Sequence, residues 1–288
     1  MKRPTNKNVA ASIHQHLLNV ARETGRPFNE VLQYFAMERL LYRLSCSPHK
    51  DSFVLKGALM FRVWDVPDSR ATKDIDLLAY LDNSPENLAS IFRDVCIVAG
   101  EDGLIFDPDS VQSQTIKEDA DYEGVRVRFR GKLGSARVTM QVDIGFGDKV
   151  HPEIVRADYP VILDLPGPSL RMYPPETVIA EKAEAMVHLG SLNSRMKDFY
   201  DIWWLSRQFE FDDAVLSEAI RETFKNRGTE FMPFDELQGD LLENETLEKQ
   251  WSAFLAKSGV SGPESFHEVL DQIAIFLGPI FERIDHPK

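Results

Sequence analysis

Asp74 and Asp76 stand one residue apart in "TKDIDLLAY", a run whose other members, Ile75, Leu77, Leu78 and Ala79, belong in a protein interior. On a strand both carboxylates leave by the same face while Ile75 and Leu77 leave by the other. Two acids that close repel and raise each other's pKa unless a cation lies between them. Mg²⁺ suits that place, since it takes one or two carboxylates and completes its shell with waters and substrate phosphates. Asp143, in "RVTMQVDIGF", lies on the polar side of a later alternating strand and is the candidate third carboxylate. Three acids on neighbouring strands are what two-metal phosphoryl or nucleotidyl transfer requires. A D-x-D pair alone also fits a strand end in water.

Two further groups carry charge or backbone where chemistry needs it. The apolar run "FVL" ends in Lys56-Gly57-Ala58. A glycine between a strand and a short helix lets backbone N–H groups approach a phosphate, although a plain tight turn uses it equally well. In the helical pattern 175–189, Ile179, Ala183, Met186 and Leu189 form the apolar stripe and Lys182 falls inside it, with Glu181, Glu184 and His188 assigned to the wet face. A lysine on the inner side must snorkel out or meet an anion, here a phosphate. In the next helix, 195–208, Met196, Phe199, Tyr200, Trp203 and Trp204 make a core stripe. Lys197, Asp198 and Asp201 share the opposite arc, where an ordinary solvated i,i+4 pair is the plainer alternative.

The elements that position these residues follow from periodicity. Helices are expected over 8–23, 28–45, 57–64 (a turn or two), 85–99, 175–189, 195–208, 213–226, 242–257 and 264–278. Strands are expected over 52–55, 72–80 and near 103–107 and 111–117. Val125, Val127 and Phe129 alternate with Arg126, Arg128 and Arg130, and after a Gly turn Val138, Met140, Val142 and Ile144 alternate with Arg137, Thr139, Gln141 and Asp143. That is a hairpin with one buried and one polar face. The proline-punctuated "LPGPSLRMYPPET" separates an α+β part, 1–166, from a helical part, 167–288.

Composition sets outer bounds. The 288 residues carry a net charge of −13, with 21 basic and 24 acidic side chains in 1–166 against 12 and 22 in 167–288. Indiscriminate binding to a nucleic-acid backbone is disfavoured, and contact with phosphates belongs to the first part or to a local site. The basic strand 126–130 either guides an RNA phosphate chain toward Asp143 or is a solvated face. No run approaches the roughly 18 apolar residues of a membrane helix, and no signal-peptide segment opens the chain. Cys46 and Cys96 have no ligand or redox spacing, so a cytoplasmic location is expected.

The order Gly57-Ala58, then Arg70-x-Thr72-x-Asp74-x-Asp76, resembles the opening motif of the polymerase-beta-like nucleotidyltransferases, and "LKGALMFRVW…SRATKDIDLL" is similar to the AbiEii/AbiGii (MenT-like) toxins. Glu181-Lys182 resembles the family's second motif, and Arg195-x-Lys197-Asp198-x-x-Asp201 its third. Ala58 stands where the family commonly has serine, so any phosphate contact of that hydroxyl is absent or replaced. The resemblance implies an α+β fold, a polymerase-beta-like nucleotidyltransferase domain with a mixed sheet followed by a helical domain that closes the cleft. It implies two Mg²⁺ ions and an NTP, with Asp74, Asp76 and Asp143 as metal ligands and Lys182 and Asp198 completing the catalytic set. Lys56, Gly57, Ala58, Arg70, Thr72, Lys182, Arg195, Lys197 and Asp201 would hold the nucleotide. The implied acceptor is the 3′ end of tRNA, and the implied partner is a cognate antitoxin. A protein or small-molecule hydroxyl as acceptor, and a metal-dependent nuclease, are the alternatives.

Overall fold

In a computed structural model the described residues are 6–64, 72–119 and 122–286. The chain divides into two compact units, the first comprising described residues up to 147 together with 155–172, the second 148–154 and 173–286. Among the described residues no helix is long and apolar enough to cross a membrane.

The first unit runs α1 (Asn6–Thr24), α2 (Phe28–Ser45), β1 (Phe53–Lys56), a 3₁₀ turn (Gly57–Leu59) leading into α3 (Met60–Val63), β2 (Ile75–Ala79), α4 (Pro85–Ile97), β3 (Leu104–Asp119), β4 (Tyr122–Leu133), β5 (Ala136–Phe146), β6 (Val155–Asp158) and β7 (Ser169–Met172). Among the described residues the strands form one seven-stranded sheet in the order β3-β4-β5-β2-β1-β7-β6. Pairing is antiparallel except for β2 with β5 and β1 with β7, so the sheet is mixed. The alternation in β4 and β5 does what its pattern requires: Val125, Val127, Phe129, Val138, Met140, Val142 and Ile144 are buried, in one core with residues of α1, α2 and α4. Gly134, at φ +60°, supplies the left-handed residue of the tight turn that joins them.

Three local departures from the sequence pattern have physical causes. The expected pair of strands near 103–107 and 111–117 is one long β3, interrupted by a bulge between Asp107 and Gln112. β7 pairs with β1 through Leu55 and Met172, which carries the sheet to residue 172. The helix α2 is buried nearly all round, including Glu38, Arg39 and Arg43. Each charge there is matched: Arg43 grips Asp102 at 2.8 and 2.9 Å, Arg39 meets Glu38 at 2.8 Å, and Glu38 accepts from the Ile162 N–H at 2.7 Å. Burial nevertheless dominates at Glu38 and pushes its carboxyl above the usual range, against the pull of Arg39.

The second unit is helical: α5 (Pro175–Leu189), α6 (Met196–Gln208), α7 (Asp213–Arg227), α8 (Phe234–Leu242), α9 (Glu245–Ser258) and α10 (Phe266–Asp285). The expected helix 242–257 is α9, which starts at Glu245 because the Asn244 side chain accepts from the Thr246 N–H and caps it, and α8 before it was not expected. α10 continues past Pro279, where a stop was expected. Ile280 and Phe281 are buried there, and Phe281 packs on the rings of Phe224, Phe231 and Phe234, which offsets the lost backbone hydrogen bond.

Candidate active site

The parallel pairing of β2 and β5 sets Asp76 opposite Asp143, and the antiparallel pairing of β1 and β2 sets Lys56 opposite Asp76. Residues far apart in the chain thereby share one row across the sheet. Asp74 precedes β2 rather than lying within it, although a strand was expected to begin at 72. Its carboxylate is held from three sides: Oδ1 accepts from the Thr72 hydroxyl at 3.2 Å and the Lys73 N–H at 3.1 Å, and Oδ2 from the Gln141 amide at 3.4 Å. The same Gln141 Nε2 donates to Asp143 Oδ2 at 3.2 Å, so one amide links two of the three carboxylates. Tyr34 steadies the approach to β2 by accepting from the Thr72 N–H at 3.0 Å.

Gly57 closes the other side of the row. Its φ is +73°, and a Cβ placed there would lie 2.1 Å from Asp76 Oδ2. Only a glycine lets the turn after β1 run this close to the acid. Ala58 is buried in the 3₁₀ turn, and Lys56 is buried at the end of β1. Arg70 lies outside the described residues.

Asp143 is engaged: Arg126 Nε and Nη2 donate to its two oxygens, each at 2.7 Å. This bidentate pair places the cation directly on the third carboxylate.

In the second unit, Lys182 does meet anions, and they come from the protein. Its Nζ lies 2.7 Å from Asp198 Oδ1 and 2.8 Å from Asp201 Oδ2. Asp198 and Asp201 are buried, so the arc of α6 that admitted a solvated reading is an interior face. Burial works to raise the Asp198 carboxyl, but Lys182, with help from Lys197 and Arg195, holds it below the ordinary range. Arg195 is half-buried at the start of α6, its N–H donating to Asn193 Oδ1 at 2.8 Å, and Lys197 projects into solvent. The wet face assigned to α5 is corrected at Glu184, which is buried because α5 packs on α7 as well as α6. Arg227 Nη1 donates to Glu184 at 2.7 Å, and its Nη2 lies 3.4 Å from Asp148 and 3.8 Å from Glu181. Those acids raise the guanidinium's pKa against the effect of burial, keeping it charged.

The family model of the AbiEii nucleotidyl transferase toxin, of type IV toxin–antitoxin systems, matches residues 39–272. The chain belongs to the AbiEii family. It is therefore a nucleotidyltransferase of a toxin–antitoxin system, and the family implies an antitoxin partner. Among solved structures the chain is similar to a candidate nucleotidyltransferase from H. pylori, with 17% identity over 88% of this chain and 96% of that one and a TM-score of 0.48. It is also similar to JHP933 from Helicobacter pylori, with 16% identity over 89% and 93% and a TM-score of 0.47. An antigenic nucleotidyltransferase-like protein from Paracoccidioides brasiliensis matches at 12% identity over 71% and 91%, with a TM-score of 0.37. No curated protein is a significant match.

The donor chemistry of the AbiEii chain fits a hard divalent cation at Asp74 and Asp76, which offer carboxylate oxygens beside a glycine turn. Among the described residues no three acidic, histidine or cysteine groups are gathered to hold a metal as they stand. Asp143 would join such a set only by exchanging Arg126 for the ion. Sequence reasoning singled out the acids and the lysine but not the contacts that Arg126, Gln141 and Arg227 make with acids. The first two carried a signal, since both share the polar face of the hairpin with Asp143; Arg227, in the last turn of α7, reads as an ordinary C-terminal cation.

Proposed function

We propose that the protein transfers a nucleoside monophosphate from an NTP to a terminal hydroxyl of an RNA acceptor, the 3′ end of tRNA, with release of pyrophosphate. It would act in the cytoplasm as the toxin of its pair. The observation that carries this is the rung shared by Asp76 and Asp143, with Gln141 linking Asp143 to Asp74 and Gly57 packed against Asp76. Asp74 and Asp76 would hold two Mg²⁺ ions, whose chemistry is to neutralise the triphosphate and the charge that develops at the α-phosphorus. Thr72, the Lys73 N–H and Gln141 fix the Asp74 carboxylate before substrate arrives, so little reorganisation is left for the reaction.

The Gly57 turn would offer backbone N–H groups to phosphate oxygens, and Lys56, opposite Asp76, would add a cation beside it. Asp143, released from Arg126, accepts the proton of the attacking hydroxyl or joins the metal set. Within the second unit, Asp198 and Asp201 hold the ammonium of Lys182, the group that the family resemblance assigns to phosphate. Arg195 and Lys197 add cationic charge at the same end of α6.

Incubation with Mg²⁺, each labelled NTP in turn and total RNA tests the proposal. Label should appear on lengthened RNA, most strongly with one NTP, and disappear with Asp76→Asn. Shortening of RNA with no NTP present would assign a nuclease instead. Label in protein or in a small-molecule fraction would move the acceptor and overturn the RNA assignment.

A further inference from the structure

The sheet face that carries Asp143 continues away from it as a row of cations. Arg126, Arg128, Arg130 and Lys132 point outward at alternate positions of β4, and Arg137 stands on β5 directly opposite Lys132. Arg128, Arg130, Lys132 and Arg137 are exposed. Alternate residues of a strand are about 7 Å apart, so the four β4 positions span roughly 20 Å. The row is joined to the acids by hydrogen bonds: Arg126 holds Asp143, and Arg128 Nε donates to Gln141 Oε1 at 2.9 Å, the amide that reaches Asp74 and Asp143. Arg130 has Asp107 at 3.6 Å, a contact between two exposed groups that neutralises little.

Like charges directly opposite on paired strands, as at Lys132 and Arg137, cost stability. On a chain of net charge −13 this concentration of cations needs a ligand to justify it. Beside it, a cavity of about 770 Å³ is lined by Lys73, Asp74, Arg137 and Gln141, with Leu32 and Val138 giving it an apolar wall and Glu30 a second acid. The sheet order gives direction. Across β5-β2-β1 the cationic strip lies on one side of the acidic row and the Gly57 turn on the other. If the turn takes the triphosphate, the acceptor comes from the β4 side.

We propose that the outer face of β4 and β5 is a track for the phosphate backbone of the RNA acceptor, delivering its terminal nucleotide to the cavity beside Asp74. This rests on the transfer reaction proposed above. Evenly spaced cations among Gln and Thr, without aromatic anchors, suit a sequence-independent grip on phosphates. A protein partner would need clustered apolar anchors, whereas Ile105, exposed opposite Lys132, stands among charged and polar side chains.

The test is Arg130→Gln/Lys132→Gln, two exposed substitutions that should melt no lower than the parent, and slightly higher if Lys132 repels Arg137, with Lys257→Gln in the second unit as control. Binding of RNA oligonucleotides is measured against salt, with labelling of RNA and affinity for poly-glutamate in parallel. The double variant should bind RNA roughly tenfold more weakly at low salt. Its log–log salt slope should be shallower by about 1.4, from two single-strand phosphate contacts at about 0.7 each. The loss should be the same for different RNA sequences, and the KM for RNA should rise. Unchanged RNA affinity and slope would overturn the track while leaving the transfer reaction standing. An equal loss of poly-glutamate binding would overturn the RNA assignment in favour of an acidic polypeptide. Salt-dependent RNA binding that the variant weakens, without any label on RNA, would leave an RNA-binding face but overturn its role in delivering an acceptor.

Discussion

Lys182→Met offers the sharpest test of the second unit. The substitution keeps the length of the side chain and removes the cation from two carboxylates whose side chains are 7% and 2% exposed. Removing one partner of a buried ion pair costs about 3–5 kcal/mol. Arg195 and Lys197 still attract Asp198, so the expected loss is near the lower end, about 3 kcal/mol at neutral pH. The pH dependence carries the signature. In the parent, Asp198 is held below its ordinary value of 3.8, so its contribution to stability is fully present above that value and is lost as pH falls through the depressed folded pKa. In the variant, burial prevails and the carboxyl rises above 3.8, so protonation relieves the defect. The deficit should therefore be largest near neutrality and shrink as pH falls toward about 4. Urea melts followed by tryptophan fluorescence report mainly on this unit, since three of the four tryptophans, Trp203, Trp204 and Trp251, lie in it and Trp64 in the other. Asp198→Asn added to Lys182→Met should recover part of the loss. A variant as stable as the parent, or a deficit that does not change with pH, would refute the buried pair.

Two further outcomes follow from the first unit. Gly57→Ala forces a φ of +73° on a residue with a Cβ and drives that atom to within 2.1 Å of Asp76 Oδ2. The backbone cost is about 1–3 kcal/mol, and displacement of the acid should lower NTP turnover on the order of 10²-fold. Turnover close to the parent's would mean that the turn does not set the position of Asp76. Of the two free cysteines, Cys46 is exposed, whereas Cys96 is buried and burial pushes its thiol up to about 12. Ellman's reagent should titrate one thiol in the native protein and two in denaturant; two fast native thiols would contradict the packing of α4.

The hairpin was legible because alternate positions of β4 and of β5 carry apolar side chains that are buried, with Asp143 the exception, buried on the polar face. Asp143 was legible with it, since its parity assigns its face. α2 was only half legible. Its periodicity marks a helix, but nothing local shows that Glu38, Arg39 and Arg43 are buried, and only the partners Asp102 and the Ile162 N–H, distant in sequence, explain their burial. Glu184 misled for the same reason, because Arg227 comes from another helix. The link between the two second-unit motifs was hidden in the same way. Lys182 looks misplaced on α5 and Asp198 and Asp201 look solvated on α6, until tertiary packing makes each the answer to the other.

The same dependence on tertiary pairing orders the acidic row. Asp76 and Asp143 share a rung because β2 and β5 run parallel, a pairing that tight turns cannot make and that the intervening α4, β3 and β4 must bridge. That long connection brings β4 beside β5 and with it Arg126, whose guanidinium occupies Asp143. Removing a partner from a buried carboxylate is costly, so Arg126 both holds Asp143 in place and competes with any cation that would use it. Arg126→Lys keeps the charge but loses the bidentate fork. If Arg126 competes with the metal, this variant should need less Mg²⁺ for half-maximal NTP turnover, whereas an Arg126 that only orders β4 and β5 would leave that requirement unchanged and lower the melting temperature instead.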